Sequence, residues 1–189
     1  MDRTFSEPVG INIDPTIYTS RPTDRRLPKE ERVYDLLEKL GVGFSRIDHD
    51  AVATIDGCSE IEKLLGIEIC KNLFLRNSKG DKYYMLVLLG EKHLVTKDLA
   101  KKIGSTRLSF GTPEKMEEYL DLTPGSVSVL GLMNDHEDRV SLLVDRDILK
   151  SEYFGCHPCI NTTSLKLRTA DVFEKILPAV GHEPTFVEI

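Results

Sequence analysis

The chain has 189 residues, 40% hydrophobic and 30% charged, with a formal charge of −6. That length suits one folded domain of about 100–200 residues, and the acidic balance argues against a broad DNA-binding surface. The longest apolar run, residues 83–89, is strand-sized and far short of the roughly 18 residues a membrane helix needs. The start, MDRTFSEPVG, has no apolar signal core, so neither membrane insertion nor secretion is expected and the location expected is cytoplasmic.

Four of the nine prolines (Pro8, Pro15, Pro22 and Pro28) fall in the first 28 residues, which show no helical or strand period. Residues 1–27 therefore read as an extended arm, and residues 28–189 as a single domain. From Pro28, whose missing N–H costs nothing in a first helical turn, Val33, Leu36, Leu37 and Leu40 form a helix stripe ended by Gly41. Residues 44–48 alternate as a short strand. Residues 59–65 read as a helix capped by Ser59 and stopped by Gly66.

Residues 69–77 and 82–89 are two strands joined by the turn Ser78-Lys79-Gly80-Asp81. Residues 96–103 form a helix capped by Thr96 and stopped by Gly104, and Thr112-Pro113-Glu114 opens another that runs to about Leu120. Residues 127–132 and 140–144 are predicted strands around a polar turn. Residues 153–167 hold two more strands, and residues 169–180 a final helix with Pro178 in its last turns. Helices interleave with strands joined by short turns. That order predicts an α+β fold with a mixed, largely antiparallel central sheet and surrounding helices.

Charge is unevenly spread. From Lys71 to Arg107 nine basic residues face three acidic ones. Such a stretch either meets a polyanion such as RNA or is an ordinary solvated surface.

The dinucleotide, P-loop and nucleophile-elbow signatures are all missing from the sequence. Cys156-His157-Pro158-Cys159 has the spacing of a redox pair. Redox enzymes place the first Cys of such a pair at a helix N-terminus, whereas Ile160-Asn161-Thr162-Thr163 makes a poor helix. A zinc site would combine Cys156, His157 and Cys159 with Cys58, Cys70 or His49, but Cys58 and Cys70 form no close-spaced couple.

Lys71, in Cys70-Lys71-Asn72-Leu73-Phe74-Leu75, is either a snorkelling strand lysine or an ammonium aimed into a pocket to hold a phosphate, a carboxylate or a developing oxyanion. His157 is either a structural hydrogen-bonding residue or part of a shaped, donor-rich loop with Gly155, Pro158, Asn161, Thr162, Thr163 and Ser164. Gly125-Ser126-Val127-Ser128 and Gly131-Leu132 mark a segment that brings backbone close to a ligand or simply turns the chain.

Three segments in this order resemble the YbaK/ProX family of prolyl-tRNA editing domains: Lys71-Asn72-Leu73-Phe74-Leu75, Gly125 through Leu132, and Gly155-Cys156-His157-Pro158 followed by Asn161-Thr162-Thr163. The resemblance runs from about Pro28 to Val180 and is nearest the free-standing ProX type. Val129 stands where the family often has proline, and Cys156 and Cys159 stand where it tolerates several residue types.

The resemblance implies an ester hydrolase acting on mischarged tRNA(Pro), Ala-tRNA(Pro) first. The sister activity on Cys-tRNA(Pro) and a non-catalytic binding module of the same fold are the alternatives. It implies catalytic roles for Lys71, His157 and the backbone around Gly131, and substrate-binding roles for Asn72, Ser128, Gly155, Pro158, Asn161 and Thr162. It implies direct water attack without metal or organic cofactor, with the basic stretch facing the acceptor stem. Mischarged tRNA(Pro) is the expected partner, prolyl-tRNA synthetase a further one, and DNA and membrane none. The chain is expected to act as a monomer or a homodimer across which the arm reaches.

Overall fold

The computed structural model describes residues 11–52 and 58–189; Pro8 and the first ten residues of the expected arm lie outside the described residues. Helix α1 (Pro28–Lys39) begins on Pro28 and buries Val33, Tyr34 and Leu37. Strand β1 (Phe44–Asp48) follows, then α2 (Ser59–Leu65), which ends on Gly66 in the left-handed region at φ +62°. The β2–β3 hairpin (Lys71–Asn77 and Tyr83–Leu88) turns through residues 78–81. Then come α3 (Thr96–Lys102), β4 (Leu108–Phe110) and α4 (Pro113–Leu120). A 3₁₀ turn spans Val129–Asn134 before β5 (Val140–Asp145), and a second, Arg146–Lys150, leads to β6 (Tyr153–Cys156) and β7 (Thr163–Arg168). A last helix over residues 169–179 and a short β8 (Thr185–Val187) complete the order.

The strands make two sheets. One is β1-β7-β6, antiparallel throughout; the other is β4-β2-β3-β5-β8. In the second, β2 is antiparallel to β3 and β4, while β3–β5 and β5–β8 are parallel. The fold is α+β and mostly antiparallel as expected, but the single central sheet is divided in two. β3 lies at the centre of the larger sheet and all six of its residues are buried. One face of that sheet packs with α1, α4 and the last helix around Phe74, Met85, Leu120 and Ile176. The other packs under α3 around Leu75, Leu86 and Leu99.

Several local expectations are corrected. Residues 127–132 are not a strand. Ser128 Oγ accepts from Leu130 N at 3.2 Å and starts a 3₁₀ turn instead. A short apolar run cannot by itself tell strand from buried helix, and both edges of β5 are already taken by β3 and β8. Cys58 and Val95, rather than Ser59 and Thr96, flank α2 and α3, and neither end has a side-chain cap. Thr112 does cap α4, accepting from Lys115 N. β4 and β8, three residues each, are too short for alternation to show. The last helix widens into a π-type turn over Val172–Ile176 just before Pro178, which gives the proline ring room that a regular α-turn denies.

Residues 11–27 lie along β1. Asp14 N donates to Asp48 O at 2.9 Å, Tyr18 bridges Arg46, and the Arg46 guanidinium sits 4.3 Å from the centre of the Tyr18 ring. Arg26 reaches inward to Asp48 at 2.8 Å.

The two sheets meet at Gly155. Ile69 forms a parallel bridge with it, and Cys70 N donates to its carbonyl at 3.0 Å. A Cβ on Gly155 would stand 2.7 Å from Glu68 O and 2.8 Å from Ile67 Cδ1. Backbone cannot yield as a flexible side chain can, so Gly155→Ala is expected to cost about 1–3 kcal/mol, read as a lowered urea midpoint. An unchanged midpoint would show that the join tolerates a side chain.

Candidate functional site

A cavity of about 400 Å³ opens where the first half of β2 reaches the sheet edge. Lys71, Asn72, Leu73 and Phe74 form one wall; Val52, Cys58, Ile69 and Cys70 another; Gly111, Met116, Gly125 and Val127 close it opposite, and His157 lies between them. The edge is open there because β4 pairs β2 only from Leu75 onward. At the other end, β6 joins only at Ile69 and Cys70.

Lys71 is half-buried, and its Nζ donates to Lys92 O at 2.6 Å. Among the described residues no carboxylate pairs with it, so its charge remains available to an anion. Lys92, by contrast, is spent on Asp145 and Asp147, each at 2.6 Å. Lys79 lies in the β2–β3 turn and Lys82 directly follows it. Six residues of strand rise place that turn about 20 Å from Lys71. The basic stretch from Lys71 to Arg107 is therefore not one face around the cavity.

Asn72 lines the cavity, but its side chain is framework. Nδ2 donates to Cys70 O at 3.0 Å, and Oδ1 accepts from Val129 N at 2.9 Å. His157 is held by its loop: Nδ1 lies 2.9 Å from Thr163 O, and the His157 carbonyl accepts from Ser128 Oγ at 2.6 Å. A carbonyl only accepts, so Nδ1 carries the proton and Nε2 of the neutral ring is an acceptor. Thr163 is fixed in turn, its Oγ1 donating to Asp48 at 2.8 Å. His49, which the sequence marked only as a zinc ligand, braces the same loop: its N–H donates to Thr162 O, and Nε2 lies 2.9 Å from Ser164 Oγ.

The other expected site residues surround the cavity without lining it. Ser128 holds the His157 loop; Asn161 exchanges bonds with the backbone of Val52, a wall residue. Thr162 contributes its carbonyl to His49, Pro158 is buried, and Gly155 joins the sheets. Gly131 is displaced from the expected role. Its N–H donates to Ser128 O at 2.9 Å, and a Cβ there would stand 2.5 Å from Leu122 Cδ1. It is a packing glycine whose amide is already committed. The apolar walls Val52 and Met116 carry no motif and were not singled out from the sequence, whereas Val127 belongs to the Gly125-Ser126-Val127-Ser128 segment.

Cys156 and Cys159 are free and fully buried. Burial pushes the Cys156 thiol well above the usual range and that of Cys159 up to about 12. Reactive thiols need the reverse, an exposed and electropositive setting, so the geometry gives no support to a redox pair.

The aminoacyl-tRNA editing domain model matches residues 49–175. The chain is 34% identical over 160 residues to the prolyl-tRNA editing protein ProX of Acetoanaerobium sticklandii, covering 85% of this chain and 97% of that one. It is 30% identical over 153 residues to the mouse prolyl-tRNA synthetase associated domain-containing protein 1, covering 78% and 89%. A crystal structure described as a candidate trans-editing enzyme for prolyl tRNA synthetase superposes with a TM-score of 0.63 at 20% identity, over 87% of this chain and 99% of that one, and shows the same fold.

Burial lowers the titration of both His157 and His49 below the ordinary 6.5. The unfolded chain then binds protons more readily than the folded one. Stability is complete above pH 6.5 and is lost as pH falls through the lowered values. The urea midpoint is expected to be flat between about pH 7 and 8, to fall from about 6.5 to 5, and to fall less steeply in His157→Gln. A midpoint that rises towards acid would contradict this.

Proposed function

The chain belongs to the aminoacyl-tRNA editing domain family, and we propose that it is a trans-editing deacylase that hydrolyses mischarged tRNA(Pro), with Ala-tRNA(Pro) as its first substrate. The observation that carries this reading is the convergence of Lys71, Asn72 and His157 on one apolar-walled cavity at an open strand edge.

An aminoacyl ester is already activated, so positioning, a water and charge stabilisation suffice. Lys71 meets the anionic end of the tRNA, through its terminal phosphate or the ester carbonyl, with an ammonium that no carboxylate of the described residues neutralises. His157 presents Nε2 as an acceptor for a hydroxyl of the terminal ribose, an orientation maintained by Thr163 O. A neighbouring ribose hydroxyl orients the attacking water. Direct attack by water needs no acyl-enzyme, and the reading assigns no step to the buried Cys156 and Cys159.

Selectivity comes from the walls. Val52, Met116 and Val127 crowd a cavity of about 400 Å³, which must take the aminoacyl group together with its ribose. Rejecting a bulkier residue by clash is easier than rejecting a smaller one; alanine enters and proline, the correct product, is spared. Prolyl-tRNA synthetase fits this reading as a partner that supplies the mischarged substrate. Among the described residues no helix is long and apolar enough to cross a membrane, and work in the cytoplasm accords with a tRNA substrate.

The test is deacylation of Ala-, Cys- and Pro-tRNA(Pro) in parallel. Alanine is expected to be released and proline retained. Lys71→Ala should reduce kcat/KM at least about 10- to 100-fold, the worth of a charge-assisted hydrogen bond of about 1.5–3 kcal/mol. Preferential release of cysteine would move the chain to the sister activity. Failure to hydrolyse any of the three would overturn the enzyme reading in favour of a binding module.

A further inference from the structure

The β2–β3 ladder determines where each backbone group of β2 points. Asn77 N donates to Lys82 O at 3.1 Å, and the same register sets Lys71 opposite Leu88 and Asn72 opposite Val87. Hydrogen-bonded pairs alternate in an antiparallel ladder. Lys71, Leu73, Leu75 and Asn77 therefore spend their backbone groups on β3. Cys70, Asn72, Phe74 and Arg76 turn theirs to the opposite edge.

Two further bonds agree with this assignment. On that edge Cys70 N donates to Gly155 O at 3.0 Å, and Phe74 O accepts from Gly111 N at 2.9 Å. β6 thus covers the edge up to Cys70, and β4 with Gly111 covers it from Phe74 onward. Asn72 lies between them. Its N–H and C=O face the cavity, and among the described residues no strand pairs with them there. Its side chain, tied to Cys70 O and Val129 N, keeps this backbone in place.

We propose that the gap at Asn72 is where the aminoacyl ester docks, bound as one residue of a missing strand. This rests on the deacylase reading above and names the group that stabilises the reacting carbonyl. An α-amino ester carries its ammonium and its carbonyl on a single carbon, as a peptide residue carries N–H and C=O. Paired with Asn72, the ester carbonyl accepts from Asn72 N–H and the ammonium donates to Asn72 C=O, the two-bond exchange of an antiparallel pair.

The water oxygen then bonds to the carbonyl carbon, and the carbonyl oxygen becomes an oxyanion on the Asn72 N–H. Collapse breaks the bond from that carbon to the ribose oxygen, which takes up the proton the water lost. Free amino acid and the tRNA 3′ hydroxyl result. The N–H strengthens its bond as charge develops, so its contribution falls on kcat. It takes the place that the committed amide of Gly131 cannot fill.

Asn72→Ala removes the side-chain brace and keeps the N–H; Asn72→Pro removes both. Proline is tolerated where a strand N–H is not used in the ladder, and its effect on the preceding residue, Lys71, favours the extended backbone already present. On Ala-tRNA(Pro), kcat for N72P is expected about 10²- to 10³-fold below that of N72A, with the two variants unfolding at similar urea concentrations. If N72P does not fold, an amide-to-ester replacement at position 72 deletes the N–H alone and should produce the same loss relative to wild type. Activity of N72P within about threefold of N72A, or of the ester protein within about threefold of wild type, overturns the proposal while the deacylase reading stands. A wild-type protein that hydrolyses none of the three aminoacyl-tRNAs overturns both.

Discussion

The geometry of the cavity depends on one close backbone approach, Gly155 against Ile69 and Cys70. One sheet carries Lys71 and Asn72 on β2; the other carries His157 in the loop between β6 and β7. They are joined just before β2, at Ile69 and Cys70, by a bridge and a hydrogen bond of 3.0 Å, at a spacing that leaves no room for a Cβ. A residue with a side chain at position 155 would push the sheets apart just where the lysine and the histidine must share a cavity. The glycine in the Gly-Cys-His-Pro segment is therefore a distance constraint between the two halves of the site.

From that join the architecture of the site follows. β6 cannot run on beside β2, because after Cys156 the chain turns into the His157 loop. The chain of β4 reaches back no further than Gly111, whose N–H bonds to Phe74 O, because Thr112 caps α4 and Pro113 begins it. The result is an interruption in an otherwise paired edge. Proteins usually hide or blunt open edges because they invite further pairing. Here the interruption lies inside a cavity, beside the Lys71 ammonium, which no carboxylate of the described residues neutralises.

Much of this was legible in the sequence. Pro28, Gly66 and Thr112-Pro113 placed helix ends through local chemistry that tertiary context left alone. Lys71, Asn72 and His157 were drawn together by resemblance, and the cavity contains all three. The misreadings share one cause. Residues 127–132 looked like a strand because a run of buried valine and leucine has no period of its own, and what decided it was the lack of a free partner strand. Gly131 looked like a ligand-approach glycine, but the close neighbour is Leu122. The division into two sheets, and with it the open edge at Asn72, depends on a pairing between Ile69 and Gly155 that are 86 positions apart, which no local pattern encodes.

The Cys-x-x-Cys spacing illustrates the same point from the side of chemistry. Spacing alone suggests thiolate reactivity, but reactivity is decided by environment. Cys156 is the last residue of β6 and fully buried; Cys159 is also buried and has a left-handed backbone, φ 63°. That conformation is uncommon for a residue with a Cβ and costs of order 1 kcal/mol. It turns the chain sharply after Pro158 so that Asn161 and Thr162 can return to Val52 and His49. The two cysteines are thus packing residues at the ends of a tight loop, and what the loop displays is the imidazole between them.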